Sequence, residues 1–301
     1  MSFARYLDKN SIRDLKTEQL FNECLKKDCE EGNVFPTIRK NKVDFYHNGG
    51  NLFSWEKGKR FSTHNKFASV IYNENKNGYV TETEIKNRDV YLINNFCMGY
   101  ERIKENCTLY SGLESSGVSK LYHGFSCAAS KRHDVYVLDI EIAFANYDSN
   151  GKKTPSDRID FVAIDKFGKL RFFEAKHYSN RAPLLCPDEN TPPPLYAQLE
   201  KYDWYLKQFG AAVLESYIKH VNVIMTLFGV NIPMPERIDP MTRAIIFGFD
   251  TEQQQYLNKN IMQARDQKTQ TYWLKNRTYT IGNTANADLP TLFRGGGQNW
   301  A

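Results

Sequence analysis

Arg158 to Tyr178 reads RIDFVAIDKFGKLRFFEAKHY. Two runs in it, Ile159 to Asp165 and Lys169 to His177, are rich in Val, Ile and Phe, which suit a pleated, half-buried surface, and Lys166-Phe167-Gly168 separates them. The pattern predicts a β-hairpin with a three-residue loop in which Gly168 takes the left-handed position. With the loop centred on Phe167, residues that face each other across the ladder have numbers of constant sum, so Asp160 stands opposite Glu174. Side chains alternate along a strand, which puts Glu174 and Lys176 on one face and Ala175 on the other.

Asp160, Glu174 and Lys176 therefore converge on one patch. Two carboxylates facing each other cost stability unless positive charge lies between them. A hard divalent cation meets that demand, because Mg²⁺ takes one or two carboxylates and fills its shell with water and substrate phosphate. The Lys176 ammonium can hold or deprotonate a metal-bound water, or offset charge growing on a phosphate oxygen. The rest of the hairpin is apolar on both faces, with Val162, Ile164, Leu170 and Phe172 on one side and Phe161, Ala163 and Phe173 on the other. A sheet buried on both faces is an α/β feature. A structural ion cluster is the alternative reading of the three charges, and Glu-x-Lys alone is a common helix triplet.

An Asp near the start of one strand, a short hairpin and Glu-x-Lys on the next resembles the core motif of the PD-(D/E)xK nuclease superfamily. The likeness covers Asp160 to Lys176 directly and, with flanking elements, about residues 83 to 250. Ile159 stands where the family name has a proline. The resemblance implies a restriction-endonuclease-like core, a central mixed β-sheet flanked by helices in an α/β (α+β) fold. It also implies Mg²⁺, for which Mn²⁺ can substitute, held by Asp160 and Glu174 with the Ala175 carbonyl as a third protein ligand. A helix after Glu-x-Lys carrying Gln198-Leu199-Glu200-Lys201-Tyr202 is similar to a QLxxY pattern in several such families, where the glutamine reaches toward metal or DNA; an exposed helix amide is the other reading of Gln198.

The 301 residues carry a net charge of +5 and a pI near 8.7, which permits a polyanionic partner without requiring one. Six scattered cysteines (Cys24, Cys29, Cys97, Cys107, Cys127, Cys186) form no CxxC, so neither a zinc ribbon nor a disulfide framework is indicated and a reducing, cytoplasmic setting is expected. MSFARYLDKNSIRDLK lacks the apolar core of a signal peptide, and the longest apolar run, 221–230, is too short to span a bilayer.

Residues 1–80 read as an accessory region, 81–250 as the core and 251–301 as a C-terminal appendage. Asp8 or Ser11 caps a helix that runs through Cys29 and stops at Gly32. Lys42 to His47, Asn51 to Trp55 and Lys59 to Tyr72 form a small antiparallel meander, with turns at Asn48-Gly49-Gly50 and Lys57-Gly58. Its Lys40, Lys42, Lys57, Lys59, Arg60 and Lys66, interleaved with Tyr46, Phe53, Trp55 and Phe61, suit phosphates and bases, or else form an ordinary solvated sheet. Helical spacing returns from Glu82 to Ser111, interrupted near 88–95, and carries Tyr91, Glu101 and Glu105; either glutamate lends a carboxylate to the metal or simply faces water. Gly112 to Arg132 reads as a loop, and its SGLESSG is not a G-x-S-x-G elbow, so a serine hydrolase has no support.

Val135 to Ala145 is the first strand of the core. Glu141 is an auxiliary metal ligand or proton-transfer group, or half of a structural ion pair, and Asp139 is a weaker candidate for the same role. The loop from Asn146 to Asp157 reaches the site, where Lys152, Lys153 and Arg158 can grip phosphates, with Tyr202 as a further nucleic-acid contact. His177 to Pro194 forms a proline-stiffened flap beside the metal, and His177 itself packs. Leu195 to Phe228 is helical, Arg243 to Phe249 is a buried strand closing the core, Glu252 to Ala264 a helix and Tyr272 to Ile281 a strand, and the tail FRGGGQNWA is unstructured. The functional expectation is an Mg²⁺-dependent endonuclease, acting on DNA, of a prokaryotic or phage restriction, defence or repair system. A non-catalytic nucleic-acid-binding or assembly module with the same fold, or a nuclease of RNA or single strands, is the alternative. A homodimer stays open and no membrane is expected.

Overall fold

A computed structural model describes residues 3–69, 78–86, 95–144, 146–147, 153–154, 158–284 and 288–294. The chain divides into two compact units. One comprises Ala4–His133 and Ser216–Ile232, the other Met1–Phe3, Asp134–Glu215 and Pro233–Ala301. The expected boundary near residue 80 falls inside the first of these. Tyr91, Lys152 and the stretch 70–72 lie outside the described residues.

In the first unit, α1 (Lys9–Thr17) starts as expected, with the Asp8 carboxylate accepting the Ser11 amide at 2.7 Å. The helix does not run unbroken to Cys29. Glu18 turns extended (ψ 129°), and a π turn, Phe21–Leu25, precedes α2 (Lys26–Glu30). The extra residue of a π turn rotates its side chains relative to an α-helix. Here Phe21 is buried against Phe45 and Phe228.

β1 (Phe35–Arg39), β2 (Lys42–His47), β3 (Gly50–Glu56), β4 (Arg60–His64) and β5 (Tyr79–Thr81) form an antiparallel sheet in chain order. Asn48 (φ 47°) and Gly49 (φ 82°) make the left-handed two-residue turn between β2 and β3. α3 (Asn65–Ala68) interrupts the stretch expected to continue as a strand. The sheet's aromatic rings are its core: Tyr46, Phe53, Trp55 and Phe61 are all buried. Four of its six expected cations are paired, Lys42 with Asp44 at 2.7 Å, Lys57 with Asp8 at 2.7 Å, Lys59 with Glu56 at 3.0 Å and Arg60 with Glu18 at 3.2 Å. Rings sealed in a core cannot stack on bases, and neutralised cations attract phosphate weakly. The base-stacking half of the nucleic-acid reading of this meander is therefore lost.

α4 (Glu82–Ile85) and α5 (Tyr100–Leu109) follow, with Glu101 paired to Lys104 and Glu105 to Arg102. The segment expected as a loop contains α6 (Leu113–His123). Its Ser and Gly content hides an apolar face, Val118, Leu121 and Tyr122, which is buried, and the Tyr122 hydroxyl accepts the Gly49 amide at 3.0 Å.

The second unit is built on β6 (Val135–Ala143), β7 (Asn146–Tyr147), β8 (Lys153–Thr154), β9 (Arg158–Asp165), β10 (Lys169–His177), the part of α7 (Pro194–Phe228) before Ser216, β11 (Arg237–Ile238), β12 (Arg243–Phe247), α8 (Thr251–Tyr256), β13 (Thr278–Ile281) and α9 (Leu289–Arg294). Its mixed sheet has the order β13-β12-β10-β9-β6. β6, β9 and β10 are antiparallel neighbours, whereas β10, β12 and β13 run parallel. The long α7 supplies the crossover a parallel pair requires. On one face Leu195 and Leu199 of α7 join Ala244 and Ile246 of β12, and Tyr205 stacks on Phe144 at 4.0 Å. On the other, Phe161 stacks on Phe173 at 4.8 Å.

Three expectations for this unit are corrected. β12 does not close the core, because β13 adds a parallel strand beyond it. The proline-rich connector after β10 packs down, with Tyr178 and Leu184 buried in one cluster with Leu195, Leu199 and Trp273. Phe293 is not part of an unstructured tail; it is buried in α9, its carbonyl accepts from Arg171 Nη1, and its ring lies 4.8 Å from the Arg171 guanidinium. Among the described residues no helix is long and apolar enough to cross a membrane.

Candidate functional site

The hairpin of β9 and β10 has the expected register. Ile164 pairs Leu170, Ala163 pairs Arg171, Val162 pairs Phe172 and Phe161 pairs Phe173. Gly168 is left-handed at φ 71°, and a Cβ there would stand 2.5 Å from the Met234 carbonyl oxygen, so both backbone and space require glycine. The paired ladder ends at Phe161 and Phe173, and one step beyond it Asp160 meets β10 through its side chain. The two strands are tied there by the Ala175 amide, which donates to Asp160 Oδ2 at 2.6 Å.

Lys176 and Glu174 share a face, and Lys176 Nζ lies 2.7 Å from Glu174 Oε1. The same oxygen accepts Gln198 Nε2 at 3.0 Å, and Gln198 also donates to the Tyr202 hydroxyl at 2.8 Å. Leu195, Leu199 and Tyr202 are buried, which fixes the face of α7 turned to the sheet and delivers Gln198 to Glu174. Glu174 is 1% exposed. Desolvation and the charge of Glu174 push the Asp160 carboxyl well above its ordinary range; Lys176 and the Ala175 amide oppose this. The cluster is one buried acid, Glu174, and one half-buried acid, Asp160, with one ammonium and one amide set on Glu174.

Glu141 enters from β6. Ile140 pairs Phe161 and Ile142 pairs Ile159, so Glu141 sits opposite Asp160, and its charge adds to the upward push on that carboxyl. It holds φ at 51°, left-handed backbone that an L residue rarely adopts within a strand. Arg158 Nη1 donates to Glu141 Oε2 at 3.1 Å. Asp139 is fully buried, and its Oδ1 accepts the Ile140 amide at 2.9 Å. A register shift between Val137 and Asp139 breaks the strand's simple alternation.

Asp160, Glu174, Lys176, Ala175, Gln198 and Glu141 thus gather at one end of the β6-β9-β10 ladder, with Arg158 at its rim. Tyr202 is 2% exposed and contacts Gln198, so it orients the amide rather than meeting a partner. Of Lys153 only the backbone, in β8, is described. His177 packs, its ring edge-on to Phe247 at 5.4 Å and its Nδ1 2.7 Å from Ser179 Oγ. The Arg158–Glu141 link escapes the sequence, because nothing in the chain between β6 and β9 sets their register.

Among the described residues no group of three or more His, Cys, Asp or Glu side chains is arranged to hold a metal ion. A cavity of about 570 Å³ lies elsewhere in the same unit, over Leu184, Ile261 and Trp273, and none of the acids of the cluster lines it. No family model, no curated protein and no solved structure matches the chain.

Proposed function

We propose that the chain is a metal-dependent nuclease of the PD-(D/E)xK kind, hydrolysing phosphodiester bonds, with DNA as the first substrate to test. The observation that carries the reading is the register of β9 on β10, which brings Asp160 beside Glu174 and Lys176 in a largely buried, apolar sheet. Charge of this kind is costly in a core and clusters where chemistry needs it. Six free cysteines accord with a reducing, cytoplasmic setting.

The donor set fits Mg²⁺ or Mn²⁺. Two neighbouring carboxylates are hard oxygen donors of the number Mg²⁺ takes from protein, and desolvation together with the Glu174 charge holds the Asp160 carboxyl well above its ordinary range. Asp160 and Glu174 would hold the ion, with the Ala175 carbonyl as a third donor. When bound, it supplies Lewis-acid activation of water and offsets charge on the phosphate.

The chain's own groups do the rest. Gln198, braced by Tyr202, fixes the rotamer of Glu174. Lys176 Nζ, held by Glu174, is placed to donate to the attacking oxygen or to a non-bridging phosphate oxygen as its charge grows. Arg158, at the rim, is placed to bind the incoming phosphate. The test is a panel of supercoiled plasmid, linear duplex, single-stranded DNA and RNA with Mg²⁺, with Mn²⁺ and with chelator. Divalent-dependent cleavage of any member that Lys176→Ala abolishes supports the reading. Divalent-independent binding with no cleavage of any substrate favours a non-catalytic binding module, and wild-type rates from Lys176→Ala overturn the assignment.

A further inference from the structure

We propose that Cys24 and Cys97 form an oxidisable dithiol, a modification site at which a low-molecular-weight disulfide of the glutathione class converts the two thiols to one intrachain disulfide. The inference is independent of the nuclease reading, and both residues belong to the first unit. All six cysteines are free. Cys29, Cys107 and Cys127 are sealed in the core, and Cys186 belongs to the other unit. Cys24 and Cys97 are half-buried and touch, the Cys24 thiol donating a hydrogen bond to the Cys97 sulfur. Packed neighbours hold each sulfur in place. Cys24 lies on the π turn between buried Phe21 and Leu25. Cys97 follows Phe96, which is buried against Phe53 at 5.2 Å. The Phe96 amide donates to Glu82 Oε1 at 2.9 Å and the Cys97 amide to Asn95 Oδ1 at 2.8 Å. Cys97 also lines a cavity of about 330 Å³, together with Gln19 and Leu20 from the turn before Cys24, so a solute in that cavity stands beside the pair.

The charged groups that face the pair are Glu23, Asp28 and Glu82, all acids. Burial and then the contact with Cys97 push the Cys24 thiol up to about 12, and burial and then Glu23 raise Cys97. Both thiols are therefore protonated at neutral pH, and oxidation is slow. Dithiols held as thiolates give strongly oxidising disulfides because their reduced form is stabilised; this pair lacks that stabilisation, so its disulfide, once made, resists reduction. Cys97, the acceptor of the hydrogen bond, reacts first. It gives its proton to water, and its thiolate attacks one sulfur of glutathione disulfide. That S–S bond breaks, a mixed disulfide forms on Cys97, and one glutathione leaves and takes up a proton. Cys24 then loses its proton and attacks the Cys97 sulfur, forming the Cys24–Cys97 bond and expelling the second glutathione. The two protein thiols lose two electrons and two protons, which appear in two glutathione thiols. The new bond fastens the π turn to the start of α5 and closes a long loop of chain.

The test is incubation of the folded full chain with excess glutathione disulfide, alkylation of the remaining thiols and peptide mass spectrometry. Wild type is expected to yield a disulfide-linked peptide pair containing Cys24 and Cys97, with no glutathione retained on either, at a rate that rises about tenfold per pH unit as thiolate forms. Cys24→Ser is expected to stop at a glutathione adduct on Cys97, and Cys97→Ser to leave Cys24 unmodified. Oxidised wild type is expected to show slower hydrogen exchange than the reduced chain in peptides covering residues 21–30 and 95–109, and dithiothreitol to reverse this. Wild type needs no substitution to be read, so a variant that fails to fold leaves the test intact. Wild type in which Cys24 and Cys97 both stay reduced under folded conditions, or in which Cys97 keeps its glutathione, overturns the proposal. Cross-linking of either cysteine to a different partner overturns it as well.

Discussion

Replacing Lys176 with Met keeps the stem and removes the charge. The Glu174 side chain is 1% exposed and that of Lys176 14%, with 2.7 Å between Nζ and Oε1. An ion pair this buried, once broken, leaves a carboxylate in a poorly solvated place, a loss of about 3–5 kcal/mol, against about 0–1 kcal/mol for a surface pair. The loss depends on pH. Desolvation and Glu174 already hold the Asp160 carboxyl well above its ordinary range, and Lys176 pulls the other way, so its removal raises that carboxyl further. A carboxyl raised by folding costs nothing below its unfolded value, near about pH 4, and costs progressively more as pH climbs through the folded value. Lys176→Met is therefore expected to cost less near the unfolded carboxyl value, about pH 4, than at neutral pH. Adding Glu174→Gln removes one of the two facing charges and is expected to recover most of the stability. Urea titration followed by hydrogen exchange of peptides covering residues 158–177 reads this unit separately from the rest of the chain. A loss under about 1 kcal/mol, or one that does not change with pH, would mean that water screens the pair and that the ionic cluster is not a buried site.

Other outcomes follow from the same contacts. Gly168→Ala forces a Cβ to 2.5 Å from the Met234 carbonyl oxygen at φ 71°, so urea unfolding should show a loss of at least about 1–2 kcal/mol, and a neutral effect would refute the hairpin geometry. Burial lowers His123 from 6.5 to about 4. A histidine kept neutral by folding makes the first unit lose stability as pH falls from 6.5 towards 4, by about 3 kcal/mol in all; an NMR titration midpoint for His123 near 6.5 would contradict this. The paired meander cations predict that Lys57→Gln with Arg60→Gln leaves nucleic-acid binding unchanged in fluorescence anisotropy, and a tenfold loss would restore that sheet as a binding face.

The hairpin was legible because its information is local. Alternating Val, Ile and Phe, a three-residue gap and one left-handed glycine fix register, and register alone brings Asp160 to Glu174. The stripe of Leu195, Leu199 and Tyr202 made the helix legible, whereas Gln198 stood out only through the QLxxY resemblance and could equally have been an exposed amide. What escaped depends on distance along the chain. Arg158 reaches Glu141 across two strands joined by a long connection, and Asp8 and Glu18, the two caps of α1, pair with Lys57 in the β3–β4 turn and Arg60 in β4. α6 escaped for a different reason: Ser115, Ser116 and Gly117 mask the spacing of Val118, Leu121 and Tyr122, and burial of that face outweighs their weak helix propensity.

The most direct measurement is anomalous diffraction from a crystal soaked in Mn²⁺. A difference peak between the Asp160 and Glu174 carboxylates, with Lys176 Nζ turned from Glu174 towards the ion's water, is the expected result. An empty map there at a Mn²⁺ concentration that supports cleavage by other metal-dependent nucleases, with Lys176 still on Glu174, would reduce the cluster to a structural ion pair and contradict the account.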